Sequence, residues 1–329
     1  MSINTLKMNL TRKKILFIGP VFHDYHSQII NKLEENGALI TFIPERSYGL
    51  KFKIVNNYLK PKLKLFQQDH YKKSFESLTD SKFDILLIIR GYMLDIEILE
   101  DFRKKNPMCK IIMYQWDSQK TNPFVHLIPF IDKIYSFDFK DCEENVKLQY
   151  LPLFYTDDIL ALKDEPIHIR YEFLFFGGYL PERYKAVLRF HQYAKDHHKT
   201  IKNFLFLPFS SYVKSLLKGD KLNLSYISFK HMNRAIYLDL LSKSKVIVDV
   251  SNQNQTGLSM RIIEALACGK KVITNNVYLK KALLLKSERI LLFDAANPDI
   301  SEDFLDLPFT SPLEGVYSLN EWINLLLKD

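Results

Sequence analysis

Residues 251–276 read SNQNQTGLSMRIIEALACGKKVITNN. The run before them, Val246 to Val250, is β-branched and suits a buried parallel strand, and Lys271 to Thr274 begin the next strand. Between the two lies a helix of about ten residues. Ser259 is placed to cap that helix and Gly269 to end it. The spacing predicts that the first-turn amides from Gly257 through Leu258 and Ser259 to Met260 face the carboxyl edge of a sheet. A helix terminus there carries roughly half a positive charge and suits phosphate, and Gly257 is read as letting a ligand approach the backbone. Arg261 and Glu264, three residues apart, share one helical face. The guanidinium is expected to hold a diphosphate, and the carboxylate one turn deeper to accept both hydroxyls of a ribose. A solvated Arg-Glu surface pair is the plain alternative.

At these residues the chain resembles the carboxy-terminal domain of GT-B glycosyltransferases. The likeness is to the group with a Gly-Leu-Ser/Thr-Met-Arg-x-x-Glu-Ala-Leu pattern found in lipopolysaccharide, capsule and CgeB-like proteins. It is strongest from Ile236 to Asn276, with weaker likeness over Tyr171 to Arg189 and Ile111 to Tyr155. The resemblance implies an α/β chain of two Rossmann-like parallel domains facing a cleft. It also implies a nucleotide-sugar donor as substrate, with no further cofactor. Gly177 and Gly178 match the glycine pair of the family's first donor-domain turn, and Arg183 matches an arginine that faces the donor phosphates. A second glutamate often stands eight residues before the one matched by Glu264, but this chain has Thr256 there. A retaining or an inverting outcome therefore stays open.

Outward from the motif, strands and helices alternate. Lys14 to Ile18, Ala38 to Ile43, Phe83 to Ile89, Cys109 to Tyr114 and Lys133 to Phe137 read as strands. Ser27 to Asn36, Asp95 to Lys105 and Pro123 to Phe130 read as helices. The first turn, Gly19 to Asp24, lacks the second and third glycines of a dinucleotide fingerprint, which argues against a Rossmann dehydrogenase. Ligands of open parallel sheets lie beyond the carboxyl ends of strands, so the polar residues found there are the acceptor-side candidates. Asp117 is the first choice, as a base toward the attacking hydroxyl or as an orienting ligand for the sugar. His23, Asp24 and His26 compete for the base role, and Asp138 is a further candidate. An Asx turn at Asp117 and ordinary loop histidines are the structural alternatives.

The second half continues the pattern. Tyr171 to Phe176 reads as a strand followed by a Gly177-Gly178 turn, Pro181 to Tyr193 as a helix, Phe204 to Leu207 and Leu222 to Ile227 as strands, and Asn233 to Ser242 as a helix. Proline and acid placement makes Pro152 to Ile169 the crossover. The expected organisation is an acceptor-side domain over 1–155, a linker over 156–169, a donor domain over 170–312, and a segment over 313–329. Ser318 to Leu327 in that last segment reads as a short helix, and the GT-B resemblance implies that it returns to the first domain.

A chain of 329 residues suits two hydrophobic cores, and 47 % hydrophobic residues can fill them. Cys109, Cys142 and Cys268 are odd in number and lack metal-ligand spacing, so reduced thiols in a cytoplasmic protein are expected, with no metal site. Met1 to Lys14 is polar and basic, without the apolar core of a signal peptide. No run approaches the roughly 20 apolar residues of a membrane helix. The formal charge is +8, and much of the basic character falls between Arg46 and Lys73, interleaved with apolar residues. That segment reads either as a solvated helix pair or as a peripheral contact with an anionic membrane. No nucleic-acid motif accompanies the charge, so no nucleic-acid partner is expected.

The function expected is transfer of a sugar from a nucleotide-sugar donor to a saccharide or lipid-linked glycan acceptor, as in bacterial surface polysaccharide or lipopolysaccharide synthesis. A nucleotide-sugar epimerase of the same architecture and a non-catalytic nucleotide-sugar-binding partner are the alternatives.

Overall fold

Short β-branched runs separated by amphipathic helices leave each strand apolar on both faces, and a parallel sheet covered by helices satisfies that pattern. The computed structural model describes residues 9–78, 82–164, 168–282, 288–308 and 317–328, and it contains two such sheets. The chain divides into two compact units. The first comprises Met1–Leu153, Asn254–Gly257 and Leu319–Asp329, and the second Phe154–Gln253 and Leu258–Ser318.

In the first unit the order is β1 (Lys14–Gly19), α1 (Tyr25–Glu35), β2 (Leu39–Pro44), α2 (Leu50–Tyr58), α3 (Leu63–Glu76), β3 (Ile85–Ile89), α4 (Ile96–Lys105), β4 (Lys110–Gln115), β5 (Lys133–Ser136), α5 (Phe139–Glu144) and β6 (Leu148–Tyr150). The strands pair in parallel in the order β2-β1-β3-β4-β5-β6. Leu16, Ile18, Leu86, Ile88, Ile111 and Met113 lie in its core.

The second unit runs through α6 (Asp157–Ala161), β7 (Tyr171–Gly178), α7 (Pro181–Asp196), β8 (Ile201–Phe206), α8 (Phe209–Leu217), β9 (Ile227–Ser228), α9 (Arg234–Ser242), β10 (Ser244–Asp249), α10 (Met260–Ala267), β11 (Lys271–Thr274), β12 (Ile290–Leu292) and α11 (Glu302–Asp306). Its parallel order is β12-β11-β10-β7-β8-β9. Phe173, Phe175, Phe190, Val246, Val248 and Ile273 fill its core. The last helix, α12 (Leu319–Leu327), belongs to the first unit. Trp322 is buried there, its ring 4.8 Å from that of Tyr114, and Tyr135 donates a 3.2 Å hydrogen bond to the Leu325 carbonyl.

Four local expectations need correction. Gly177 and Gly178 are not a turn but the end of β7, because both pair in register with Leu205 and Phe206 of β8. Leu222 to Ile227 is not a strand: the Asn223 side chain accepts from the Ser225 amide and winds Leu224–Tyr226 into a 3-10 turn, leaving Ile227–Ser228 to pair with β8. Pro123 to Phe130 forms only a 3-10 stretch, Val125–Phe130, since Pro129 removes an amide donor from its middle. The crossover is not wholly irregular, for it contains α6, whose preceding Thr156 adopts an extended cap conformation. Residues 165–167 of that crossover and 313–316 of the terminal segment lie outside the described residues.

Candidate functional site

In the second unit, the apolar run of β10 ends in Asp249, which is fully buried. A buried carboxylate is costly unless it is paired and hydrogen-bonded. Asp249 meets both conditions. Its Oδ1 accepts from Ser259 Oγ at 2.8 Å and from Arg261 Nε at 2.9 Å, and Oδ2 accepts from Thr274 Oγ1 at 2.8 Å. Arg261 Nη2 also lies 2.8 Å from Oδ1. Burial alone would raise the Asp249 carboxyl, but Arg261 and these hydrogen bonds hold it below its ordinary value. Ser259 is therefore the N-cap residue of α10, as expected, but makes no side-chain cap bond because its hydroxyl is turned to Asp249.

Arg183 enters from α7 and, among the described residues, has no carboxylate of its own. Its Nε donates to the Val250 carbonyl at 2.9 Å and Nη1 to the Gly178 carbonyl at 3.2 Å. A Cβ at Gly177 would lie 3.4 Å from Arg261 Nη1 and 3.7 Å from Arg183 Nη1, so both guanidinium groups converge over that glycine. Burial and the neighbouring Arg261 cation push Arg183 down to about 10, against a partial pull from Asp249. Two cations share one carboxylate at the carboxyl ends of β7 and β10, an arrangement that favours an added anion.

Glu264 lies one turn deeper on α10 and is 1 % exposed. Its two oxygens already have partners: Arg234 Nη1 donates to Oε1 at 3.2 Å and the Tyr237 hydroxyl to Oε2 at 2.5 Å. Arg234 in turn forms a bidentate pair with Asp158, both contacts at 2.8 Å, and donates to Thr156 Oγ1 at 2.7 Å. A ribose at Glu264 would have to share the carboxylate with Arg234 and Tyr237. The ring of Phe176 links the two clusters, 5.8 Å from the Arg261 guanidinium carbon and 4.7 Å from the Tyr237 ring.

Gly257 belongs to the first unit, and its expected role needs correction. A Cβ there would stand 2.3 Å from the Phe137 carbonyl oxygen and 2.4 Å from its ring, so glycine is required by packing against Phe137 rather than by a ligand. Asp138 secures the same loop. Its carboxylate caps α5 by accepting from Lys140 N and Asp141 N, and it also accepts from Thr256 N at 2.6 Å and Thr256 Oγ1 at 2.7 Å. Thr256 is thus a tether to Asp138, and its amide is not available to a phosphate. Asp138, 1 % exposed, is structural. Of the expected donor-binding residues, Gly177, Gly178, Arg183, Leu258, Ser259, Arg261 and Glu264 all fall in the second unit, while Gly257 does not.

The acceptor-side candidates gather at the carboxyl edge of the first sheet. Asp117 Oδ2 lies 3.3 Å from Arg90 Nη1, and Gln255 Nε2 donates to Oδ1 at 3.2 Å. Arg90 is further bound to the fully buried Glu45, with Nε donating at 3.0 Å. The carbonyl of Arg90 accepts from Gln115 Nε2 at 2.9 Å and Asn122 Nδ2 at 3.0 Å, which holds its backbone at φ 67°. His23 and Asp24 also adopt positive φ, 44° and 66°, as does Met93 at 51°. Strained non-glycine backbone concentrated at one edge marks a site whose surroundings impose it. Asp24 precedes α1 without a side-chain cap bond, and the His23 ring packs edge-on to Phe22 at 4.3 Å. His26 is pushed down by burial, partly opposed by Asp24, and its ring lies 5.5 Å from Phe42.

Sequence reasoning missed Asp249, Arg234 and Glu45. Asp249 had a signal, a lone acid closing an apolar strand; the other two depend on partners 30 and 45 residues away. Burial pushes all three thiols up to about 12, and the cysteines are free. Among the described residues, no cluster of three or more His, Cys, Asp or Glu has metal-binding geometry, and no helix is long and apolar enough to cross a membrane.

Two six-stranded all-parallel sheets with interleaved helices define the GT-B, two-domain Rossmann-like fold. The chain is similar to a UDP-GlcNAc 2-epimerase from Neisseria meningitidis solved bound to UDP-GlcNAc, at TM-score 0.53 and 12 % identity, over 96 % of this chain and 98 % of that one. It is similar to a glycosyltransferase from Rickettsia africae ESF-5, at TM-score 0.51 and 14 % identity, over 87 % and 86 %. Arabidopsis thaliana UGT89C1 complexed with UDP gives TM-score 0.50 and 10 % identity, over 85 % and 86 %. No protein-family model matches the chain, and no curated protein matches it at a significant level.

Proposed function

We propose that this protein is a glycosyltransferase that moves a sugar from a nucleotide-sugar donor to a saccharide or lipid-linked glycan acceptor, in bacterial surface polysaccharide or lipopolysaccharide synthesis. The observation that carries the reading is the convergence of Arg183 and Arg261 over Gly177 with, among the described residues, Asp249 as their shared counter-charge. Negative charge grows on the leaving diphosphate as the glycosidic bond breaks. Two fixed guanidinium groups stabilise that charge more than they stabilise the intact donor, which lowers the barrier. They do so without calling on a metal ion. Glu264 is assigned to the ribose, with Arg234 and Tyr237 positioning its carboxylate. Asp117 is assigned to the acceptor hydroxyl, with Arg90 and Gln255 orienting it, and His23 or Asp24 is the alternative base.

Incubation with UDP-, GDP-, CMP- and ADP-sugars in the presence of saccharide and lipid-linked acceptors tests the proposal. Glycan-dependent nucleotide release that falls in Asp117→Ala supports it, and an absence of release with every donor contradicts it. The similarity to the Neisseria meningitidis epimerase over nearly both whole chains supports a second reading, nucleotide-sugar epimerisation. Donor turnover without any added glycan selects that reading instead.

A further inference from the structure

We propose that the surface formed by α2 and α3 docks on an anionic lipid bilayer. Leu50, Ile54 and Tyr58 recur every fourth residue and so share one face of α2, and they are 73 %, 44 % and 69 % exposed. Phe52, off that stripe, is the residue that α2 buries. Leu59 and Leu65 add further exposed apolar surface. In α3 the same spacing does the opposite: Leu63, Gln67 and Tyr71 face inward. An outward apolar stripe on a helix already anchored by another residue marks an interaction surface.

Charge identifies the partner. From Leu50 to Glu76 stand Lys51, Lys53, Lys60, Lys62, Lys64, Lys72 and Lys73, against only Asp69 and Glu76, and Asp69 is held by Lys73 at 2.6 Å. An open cleft of about 470 Å³ between the helices is lined by Ser47, Lys51, Phe66, Asp69, His70, Lys73, Ser74 and Ser77. Asp69 takes up Lys73 there, so Lys51 and the serine hydroxyls are the groups of the cleft that suit a phosphate headgroup. Leucines beside lysines match the acyl boundary and headgroup layers of a bilayer. A nucleic acid would engage the lysines and leave the leucines in water. The proposal stands apart from the transfer reading, since it requires neither donor nor acceptor.

Co-sedimentation of the full chain with vesicles tests it. Binding to vesicles of equal parts phosphatidylglycerol and phosphatidylcholine should exceed binding to pure phosphatidylcholine by about tenfold or more and weaken with added salt. The double variant Leu50→Asp/Ile54→Asp and, separately, Lys60→Glu/Lys62→Glu should each reduce binding by about tenfold. All four positions are exposed, so the fold is retained. Wild-type protein that stays in the supernatant with the anionic vesicles overturns the proposal, as does pelleting of both variants to the wild-type extent.

Discussion

Replacing Asp249 by Asn keeps the shape of the side chain and removes its charge. The amide oxygen can still accept from Ser259 and Arg261, and Thr274 can rotate its hydroxyl to accept from the new amide group. What is lost is the ionic partner of Arg261, whose side chain is 14 % exposed, and the carboxylate that offsets the Arg183-Arg261 repulsion. Breaking a buried pair costs about 3–5 kcal/mol, and partial hydration of Arg261 places this case near the lower end, about 3 kcal/mol. For a unit of this size that corresponds to a fall of about 6–12 °C in the melting midpoint at neutral pH. Because the folded carboxyl titrates below its ordinary value of 3.8, its contribution is present above that value and is lost as pH falls through the folded one. The gap between wild type and variant should therefore hold steady from pH 8 down to about 5 and narrow below about 4. Calorimetry across pH tests this. Equal midpoints at neutral pH, or a gap that grows in acid, refute the assignment of Asp249 as the buried counter-ion of Arg261.

Gly257→Ala forces a methyl group to within 2.3 Å of the Phe137 carbonyl, so the loop must leave Asp138. The expected cost is about 3 kcal/mol, read as a lower urea midpoint of the first unit. Asp141 is raised to about 6 by burial and by Asp138 and Glu144, against the Gln119 amide. Its folded value lies above the unfolded one, so ionisation works increasingly against the fold from about pH 4 and fully so above about pH 6. Asp141→Asn should therefore gain about 1–2 kcal/mol at pH 7 and nothing near pH 4, measured by urea unfolding at both values.

Much of the fold was legible because buried parallel strands are written as contiguous β-branched runs, and β11 starts at Lys271 as expected. Elements held by distant partners were not. Nothing local tells that Gly177 and Gly178 pair with β8, or that β9 is cut to two residues by an Asn223 turn. The same limit applies to the site. Arg261 stood out through local pattern and Arg183 through a family resemblance, but their convergence on Gly177 depends on how β7, α7 and α10 pack. Gly257 illustrates the reverse error: a glycine beside a phosphate-like motif invites a ligand, whereas its neighbour is Phe137. Glu264 looked accessible on a helical face because its partner Arg234 comes from another helix, α9.

The central claim is that Arg183 and Arg261 form the diphosphate site of a nucleotide-sugar donor. Arg183 is the discriminating residue, because burial and repulsion by Arg261 disfavour its charge in the free protein. Arg183→Gln should leave the free protein at least as stable as wild type while removing donor binding. A thermal-shift panel of UDP-, GDP-, CMP- and ADP-sugars measures both quantities at once. A donor at about 100 times its dissociation constant should stabilise wild type by about 2.7 kcal/mol, about 5 °C or more, and should not shift Arg183→Gln. Equal shifts in both proteins, or no shift of wild type with any donor, would contradict the account.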